Sequence, residues 1–487
     1  MQLRKILYGL EYKLLSGSVD MEVSDISYNT KNMSHQNVFV CIKGFDFDSH
    51  SMIDKIIAFG IRAVVVEKTD TINKNIIEGV TIIKVGSTKK ALSIMSLNYF
   101  DNPQRKLITV GITGTKGKTT TAYMIKKLLD AGGRKTGLMG TIEVNDGKNV
   151  IPALNTTPAS YEICKHMSNM VKNGCKCMVM EVSSQALMLD RVYGLQFDYG
   201  LFTNISKDHI GEKEHKSFEE YICCKKKLFY QCRRAIVNID DNILRAITVQ
   251  SSHCLLTVSL HNKAAYRGSD IHYIFDNYRM GIEYRICKRK IFLNMLGIFN
   301  AYNSLMAIAV CSEIMGRACV FKVCDTLESV SVKGRLEKIK NGVGRNIIID
   351  YAHNGYSLKN VLYELRKYKP DRIITVFGCG GNRDKSRRFD MGAVAAAYSD
   401  ISIVTSDNPR FEPPLQIIND IVWGFEKSPV KRSELIIIED RKEAIKKALH
   451  LAGRKDIILL AGKGHELYQE IKGVKYPMDE RELIKLS

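Results

Sequence analysis

Between Leu107 and Leu129 the chain reads strand, glycine-rich turn, helix, and few sequence features restrict a fold as tightly. Leu107-Ile108-Thr109-Val110 is a β-branched apolar run. Gly111-Ile112-Thr113-Gly114-Thr115-Lys116-Gly117-Lys118-Thr119-Thr120 follows, and then Ala122, Met124, Ile125, Leu128 and Leu129 recur at helical spacing. Backbone N–H groups around Gly114 and Gly117 can converge on phosphate oxygens, and the positive end of the next helix adds to the attraction. Gly114, Thr115, Lys116, Gly117, Lys118, Thr119 and Thr120 are therefore the expected nucleotide-phosphate loop. Lys118 would neutralise β/γ charge and Thr119 would offer its hydroxyl to Mg2+. A strict loop of this kind has glycine where Ile112 stands; here the glycines fall at 111 and 114.

Around this unit the 487 residues divide at two places. Asp101-Asn102-Pro103 interrupts helical continuation, because the residue before proline is pushed out of the helical region. Val332-Lys333-Gly334 marks a second break, after which strand and helix alternate again. Strands are expected at Asn346–Asp350, Arg372–Phe377, Ile401–Thr405, Leu435–Ile438 and Asp456–Leu460. Helices are expected at Leu358–Tyr368, Leu415–Phe425 and Lys442–Leu451. Such alternation implies a mostly parallel sheet covered on both faces. The reading is an α/β protein of three domains, 1–103, 104–333 and 334–487, with a P-loop centre and a Rossmann-like C-terminal domain.

Charge leaves the ligand open. The chain carries 72 Lys and Arg against 52 Asp and Glu, a net of +20. There are 12 basic and 11 acidic residues in 1–103, 32 and 20 in 104–333, and 28 and 21 in 334–487, so the excess begins after the first domain. A basic surface suits nucleic acid, an anionic surface or a phosphate-rich small substrate. No aromatic-interleaved basic stripe supports nucleic acid, although a basic P-loop ATPase acting on nucleic acid stays open as an alternative at this point. Thirteen cysteines without a C-x-x-C pair read as reduced thiols. No apolar run reaches the length of a membrane span, and Glu11 and Lys13 interrupt the core that a secretory signal needs. The expectation is a cytoplasmic protein.

Polar residues cluster where buried strands end: Asn155-Thr156-Thr157-Pro158, Glu181-Val182-Ser183-Ser184-Gln185, and Thr203-Asn204 through Asp208-His209. Open parallel sheets put their sites at such strand ends. Glu181 and His209 are candidate metal-shell residues, with oxygen ligands expected to dominate around Mg2+ or Mn2+.

In this order these motifs resemble the Mur ligase family, and later pieces follow its MurE type. Those are Gly297-Ile298-Phe299-Asn300, Gly334-Arg335-Leu336-Glu337, Asp350-Tyr351-Ala352-His353, Gly378–Arg388, Asp407-Asn408-Pro409-Arg410 and Ala461-Gly462-Lys463-Gly464-His465-Glu466. The resemblance spans essentially the whole chain, including Phe39–Gly44. It implies an ATP-dependent amide ligase of peptidoglycan precursor synthesis. Such an enzyme adds meso-diaminopimelate to UDP-N-acetylmuramoyl-L-alanyl-D-glutamate through an acyl phosphate. Its partners would be small molecules only (ATP, the UDP-muramoyl dipeptide and the amino acid), with a monomer expected.

By the same resemblance Asn300, Arg335 and His353 contact nucleotide. Thr30, Ile42, Lys43, Gly44, Asn155, Thr156, Thr157, Ser183 and Arg191 contact the UDP substrate. Lys118, Glu181, His209 and Lys225 form the catalytic set, with Thr119, Glu181, His209 and Lys225 at the metals. Lys225 matches the position that the family carboxylates with CO2 to a carbamate. That reaction needs a neutral amine, and the crowding of Lys225-Lys226-Lys227 disfavours three full charges. Arg388, Asp407, Asn408, Pro409, Arg410, Gly462 and Glu466 are the implied amino-acid contacts. Arg388 and Arg410 would grip the second carboxylate, which lysine lacks. Gln185, Leu189, Gly211 and Lys116 depart from the commoner family pattern, and several of these, with Asp208–Gly211 and Asp350–Asn354, resemble a subgroup that includes lysine-adding enzymes, so a lysine-adding paralogue is the alternative.

Overall fold

The computed structural model describes residues 1–44, 47–70, 78–207, 210–211, 214–249, 254–276, 279–339, 341–342 and 344–485. The chain forms two compact units, Met1–Arg267 with Leu305–Val323, and Gly268–Ser304 with Cys324–Ser487.

The first unit holds two sheets. The smaller has the strand order Tyr12–Ser16, Thr81–Val85, Ala63–Val66, Val38–Val40, Ile26–Ser27, and only Tyr12–Ser16 runs antiparallel. Ala63–Val66 is buried at every position, as a central parallel strand covered on both faces must be. Apolar clusters fill the two faces, one around Leu3, Val65 and Met95 and the other around Phe39, Ile56 and Val64.

In the larger sheet of this unit six parallel strands run Cys254–Ser259, Cys232–Asn238, Phe197–Phe202, Ile108–Thr113, Cys177–Glu181, Thr136–Met139. The antiparallel strands Glu143–Asn145 and Val150–Pro152 extend it. Ile108–Thr113, first of these in the chain, lies between Cys177–Glu181 and Phe197–Phe202. Register aligns their ends, because Glu181 pairs with Ile112 and Phe202 with Thr113. The glycine loop, Glu181 and the residues after Phe202 therefore leave the sheet at one edge, the switch-point geometry at which α/β sheets bind ligands.

The second unit contains an antiparallel ladder of Met280–Ile286 with Arg289–Leu293 and the end of Tyr266–Phe275. Beside it in sequence is a six-stranded sheet, Glu337–Ile339, Asn346–Asp350, Ile457–Ala461, Ile373–Phe377, Ile401–Val404, Glu434–Ile437, of which only the first runs antiparallel. The strands match the alternation read from sequence to within a residue or two. The helix Ser386–Tyr398 was not among those expected; its Ser-Arg-Arg-Phe-Asp start is polar, and its apolar face is made of alanines and one methionine. It packs on Pro414–Glu426 so closely that a Cβ on Gly392 would lie 2.1 Å from the Ile421 carbonyl oxygen. Among the described residues no helix is long and apolar enough to cross a membrane, and the described cysteines are free thiols.

Candidate functional site

The phosphate loop is shaped by glycine and locked by its neighbouring strand. Gly114 has φ +149°, and a Cβ there would meet Thr203 Oγ1 at 1.9 Å, so neither the backbone nor the space admits a side chain. Thr203 Oγ1 donates to the Lys116 carbonyl at 2.7 Å. Asn204 accepts from Lys116 N–H at 2.9 Å and donates back to the Lys116 carbonyl at 3.0 Å. Thr115 N–H donates to the Asn204 carbonyl at 2.9 Å. The helix Lys118–Ala131 starts immediately after Gly117, so its first-turn N–H groups face the loop. Lys118 Nζ donates to the carbonyls of Gly114 and Thr115 at 2.8 and 3.1 Å, curled over the loop it is expected to serve.

One carboxylate faces this helix start. Glu181, 1% exposed, accepts from Thr119 Oγ1 at 2.9 Å, from Thr141 N–H at 2.8 Å and from Thr141 Oγ1 at 3.1 Å. Carboxylate and hydroxyl side by side are hard oxygen donors that fit Mg2+, which also takes phosphate oxygens and waters. His209 lies outside the described residues. Among the described residues no three His, Cys, Asp or Glu side chains gather as a metal cluster. Of the candidate metal residues, Thr119 and Glu181 are described side by side and could hold such an ion. Thr141 is a contact that sequence reading missed; its signal is its place just after the buried strand Thr136–Met139.

Lys225 reaches the same loop from the helix Phe218–Tyr230. Its side chain is 2% exposed, and Nζ donates to the Gly114 carbonyl at 2.9 Å. It also lies 4.6 Å from the centroid of the Tyr221 ring, and Tyr221 in turn exchanges a 2.8 Å hydrogen bond with Thr115 Oγ1. Positions 221 and 225 share a helix face. Consecutive helix residues point about 100° apart: Lys227 donates elsewhere, to the Leu187 carbonyl, and Lys225 is the buried one of the three lysines.

Thr156 and Thr157 flank Glu181. Thr156 Oγ1 lies 3.1 Å from Thr141 Oγ1 and donates to it, the Thr141 proton being taken by Glu181; Thr157 Oγ1 donates to the Glu181 carbonyl at 2.8 Å, and Ser183 N–H donates to Thr157 Oγ1 at 3.0 Å. Arg191 Nη1 donates to the Thr157 carbonyl at 2.8 Å. Arg191 thus closes a chain running from Glu181 through Thr157. Burial lowers the guanidinium from its ordinary value, with Tyr28 opposing; Tyr28, itself pushed up to about 12 by burial and by Glu162, brings the first sheet to this point. Thr30 opens a short turn, Thr30–Asn32, that Asn29 caps. Ile42 N–H donates to Ser49 Oγ at 2.7 Å and Gly44 N–H to the Phe47 carbonyl at 2.8 Å; Lys43 forms a backbone bridge with Asp48. Among the described residues no hydrogen bond links Asn155 to Glu181, Thr157 or Arg191.

The remaining nucleotide candidates belong to the second unit. Asn300 is buried, donating to the Leu296 carbonyl and accepting from Asn303. Arg335 lies 5.4 Å from the Tyr351 ring centroid, and His353 Nδ1 is 2.8 Å from the Tyr351 carbonyl oxygen. Asp350 holds this corner by accepting from the N–H groups of Leu336 and Ala352.

The amino-acid candidates split. Asp407, Asn408, Gly462 and Glu466 come together: Asn408 Nδ2 donates to Glu466 Oε2 at 2.8 Å, and Asp407 Oδ2 lies 2.5 Å from where a Gly462 Cβ would be. Arg410, which follows Pro409 at φ +52°, donates to the Gly381 carbonyl at 2.7 Å and to Glu470 at 3.2 Å. Arg388 does not join them. It is 1% exposed, with Nη2 on both oxygens of Glu412 and Nη1 on Asp420, each at 2.8 Å. Both ends of its fork are taken by the chain's own carboxylates, so it has none to give a substrate. The exposed Arg383 lies beside Arg410 instead, its Cγ 3.8 Å and the Arg410 Nη1 3.0 Å from the Gly380 Cβ position. The sequence signal for Arg383 is its place after Gly380-Gly381.

A glycine-locked loop at a helix start beside a buried carboxylate, and an α/β unit in which Arg410 and Arg383 stand near one another, fit an enzyme that activates one acid with phosphate and joins it to an amine. The chain belongs to the Mur ligase family: the Mur ligase middle domain matches residues 112–311, and the Mur ligase glutamate ligase domain matches 334–464. Among its relatives, the UDP-N-acetylmuramoyl-L-alanyl-D-glutamate–2,6-diaminopimelate ligase of Clostridium perfringens is 40% identical over 494 residues, covering 99% of each chain. The protein of the same name from Clostridium tetani is 39% identical over 489 residues, covering 100% of this chain and 99% of its own. A solved structure of a ligase with that name is 26% identical, with a TM-score of 0.70 over 99% of this chain and 98% of that one. The fold is the three-domain α/β Mur ligase architecture. Membership decides the question that charge left open in favour of a ligase over a nucleic-acid ATPase.

Proposed function

We propose that this protein adds meso-diaminopimelate to UDP-N-acetylmuramoyl-L-alanyl-D-glutamate at the expense of ATP, in the cytoplasm and as a monomer. The work divides over domains at 1–103 for the UDP end, 104–333 for ATP and 334–487 for the amino acid. The observation that carries the ligase reading is the contact of Thr119 with Glu181 beside a glycine-locked phosphate loop. Full-length relatives that bear the diaminopimelate ligase name support the choice of amine.

In this reading the substrate's D-glutamyl carboxylate oxygen attacks the γ-phosphorus while the bond to the β,γ-bridging oxygen breaks, giving an acyl phosphate and ADP. The amine nitrogen then attacks the acyl carbon, loses a proton, and phosphate leaves. Phosphoryl transfer mostly requires positioning and charge neutralisation. The loop N–H groups and Lys118 supply the neutralisation; Lys118 exchanges its two carbonyl partners for phosphate oxygens. Thr119 and Glu181 would hold Mg2+, which supplies charge neutralisation at the transferring phosphate. Lys225, as its CO2 carbamate, would present oxygens in place of an ammonium at the same loop, with His209 as a companion. Asn300, Arg335 and His353 are assigned to nucleotide. Thr30, Ile42, Lys43, Gly44, Asn155, Thr156, Thr157, Ser183 and Arg191 are assigned to the UDP substrate. Arg410, Asn408, Asp407, Gly462 and Glu466 are assigned to the amino acid, with Arg383 replacing Arg388. Shielding the acyl phosphate from water requires the ligands to be enclosed.

The test is ADP release with UDP-muramoyl-alanyl-glutamate and a panel of meso-diaminopimelate, L-lysine and ornithine. Release that depends on diaminopimelate is the expected result; equal or better turnover with lysine would overturn the choice of amine. Mass analysis under CO2 should find the adduct on Lys225, and failure of short carboxylic acids to rescue Lys225→Ala would count against the carbamate.

A further inference from the structure

We propose that Lys463 is a positioning residue for the amino-acid site, which it sets by fixing which way the Asn408 amide faces. This rests on the assignment of Asn408 and Glu466 to the amino acid. Lys463 is 0% exposed, although it lies between two glycines in the turn that follows the strand Ile457–Ala461. Its Nζ donates to Asn408 Oδ1 at 3.0 Å. Glu470 N–H donates to the same oxygen at 2.9 Å. Lysine and a backbone N–H can only donate, and a carboxylate can only accept. Two donors on one side and Glu466 on the other leave the amide a single satisfied orientation, with Nδ2 aimed at Glu466 Oε2 at 2.8 Å.

The turned amide anchors Glu466. Lys463 Nζ also stands 3.7 Å from Glu466 Oε2, so the lysine holds the carboxylate twice, once through Asn408 and once by charge. Burial lowers the Lys463 ammonium from its ordinary value; Arg441 adds to this, and Asp407, Glu466 and Glu480 oppose it. Burial raises the Glu466 carboxyl, with Asp407 adding and Asn408, Lys463 and Arg410 opposing. Removing Lys463 therefore does two things. It frees the amide to flip, and it withdraws one of the two cations that oppose the upward shift of the Glu466 carboxyl. Arg441 does not replace it: its guanidinium is committed to Glu480 at 2.7 Å and to the Ala461 carbonyl at 2.9 Å.

The experiment is a double-mutant cycle on the full-length enzyme, with Lys463→Met, Asn408→Ala and the pair, read as separate KM values for the amino acid, ATP and the UDP substrate. Lys463→Met should raise the amino-acid KM about ten- to a hundredfold, the range for losing a charged hydrogen bond, with the other two KM values unmoved. The pair should fall clearly short of the product of the two single effects, because the hydrogen-bonded part of the lysine's effect runs through the amide and only its direct charge on Glu466 remains to be lost. An unchanged amino-acid KM in Lys463→Met, or additive effects in the pair, overturns the proposal and leaves the amino-acid site standing. An unchanged amino-acid KM in Asn408→Ala removes the site assignment, and the proposal with it. Should Lys463→Met fail to fold, Lys463→Gln, which keeps a donor without the charge, takes its place. It should retain ATP and UDP-substrate binding while still raising the amino-acid KM, and a wild-type amino-acid KM in that variant overturns the role of charge.

Discussion

Arg388→Ala separates a structural arginine from a substrate-binding one. Arg388 is 1% exposed and makes three 2.8 Å hydrogen bonds, two to Glu412 and one to Asp420, whose side chains are 19% and 26% exposed. Removing one partner of a fully buried ion pair costs about 3–5 kcal/mol, chiefly because the other charge is left stranded. Here the carboxylates keep some access to water, so we expect about 2–4 kcal/mol. That is roughly a thirty- to several-hundredfold loss in the local closing equilibrium. The loss should fall on the helices Ser386–Tyr398 and Pro414–Glu426, which Arg388 ties together through Asp420. Hydrogen exchange by mass spectrometry over those two segments reads it directly. Steady-state kinetics below the unfolding temperature should show the amino-acid KM within about twofold of wild type, since the arginine gives nothing to substrate. The reasoning is refuted by the reverse pattern, a tenfold or larger rise in amino-acid KM with unchanged protection of both helices.

Three further outcomes test other parts of the molecule. Gly114→Ala should abolish saturable nucleotide binding by fluorescence titration, and Thr203→Ser should not restore it, because the obstructing hydroxyl oxygen and the φ of +149° both persist. Glu181→Gln, which keeps shape and removes charge, should lower ADP release about 10²–10³-fold and raise the Mg2+ concentration needed for half-maximal rate; an unchanged Mg2+ dependence counts against Glu181 as a ligand. The Asn382 backbone N–H and Arg388 hold the Glu412 carboxyl below its usual value of 4.5. A depressed folded-state value stabilises above the unfolded value, so this contribution is full above about pH 4.5 and lost as pH falls through the lower, folded one. Exchange protection of Ser386–Tyr398 should weaken over that acid range in wild type. Arg388→Ala should narrow the range; an equal acid response in both proteins would sink the assignment.

Much of the fold was legible because the information is local. Ile347-Ile348-Ile349, Ile374-Thr375-Val376 and Ile401-Ser402-Ile403-Val404 are β-branched runs between polar breaks, and each is a buried strand. The helix Ser386–Tyr398 was not legible, since its charged start and alanine-rich face give a weak period. The phosphate loop was readable for the same local reason, as glycine spacing is a statement about backbone conformation. What the sequence hid is long-range. Thr203 and Asn204 lock a loop some 90 residues earlier in the chain, and Thr141 meets Glu181 across 40. Arg388 and Arg383 are both arginines in one polar stretch, and no periodicity says which is turned inward. Helix geometry decides it: Arg388 falls on the face toward Pro414–Glu426, whereas Arg383 lies ahead of the helix, beside Gly380.

Net charge proved a poor guide to the ligand for a related reason. The cations that matter at the site are engaged before any substrate arrives. Lys118 sits on the Gly114 and Thr115 carbonyls, Lys225 shares the Gly114 carbonyl, and Arg410 sits on Gly381 and Glu470. Arg388, Arg441 and Lys463 are answered by Glu412 and Asp420, Glu480, and Asn408 with Glu466. Binding an anionic substrate here is an exchange of partners, in which a phosphate or carboxylate oxygen replaces a weaker carbonyl at a cation already held in place. Such exchange gains from the difference between a charged and a neutral acceptor, and little of the positioning entropy remains to be lost. The distinction that governs recognition is therefore which neutral or shared acceptor each cation can release. Lys118 and Arg410 have backbone carbonyls to give up, and Arg388, bound on both sides by carboxylates, has none.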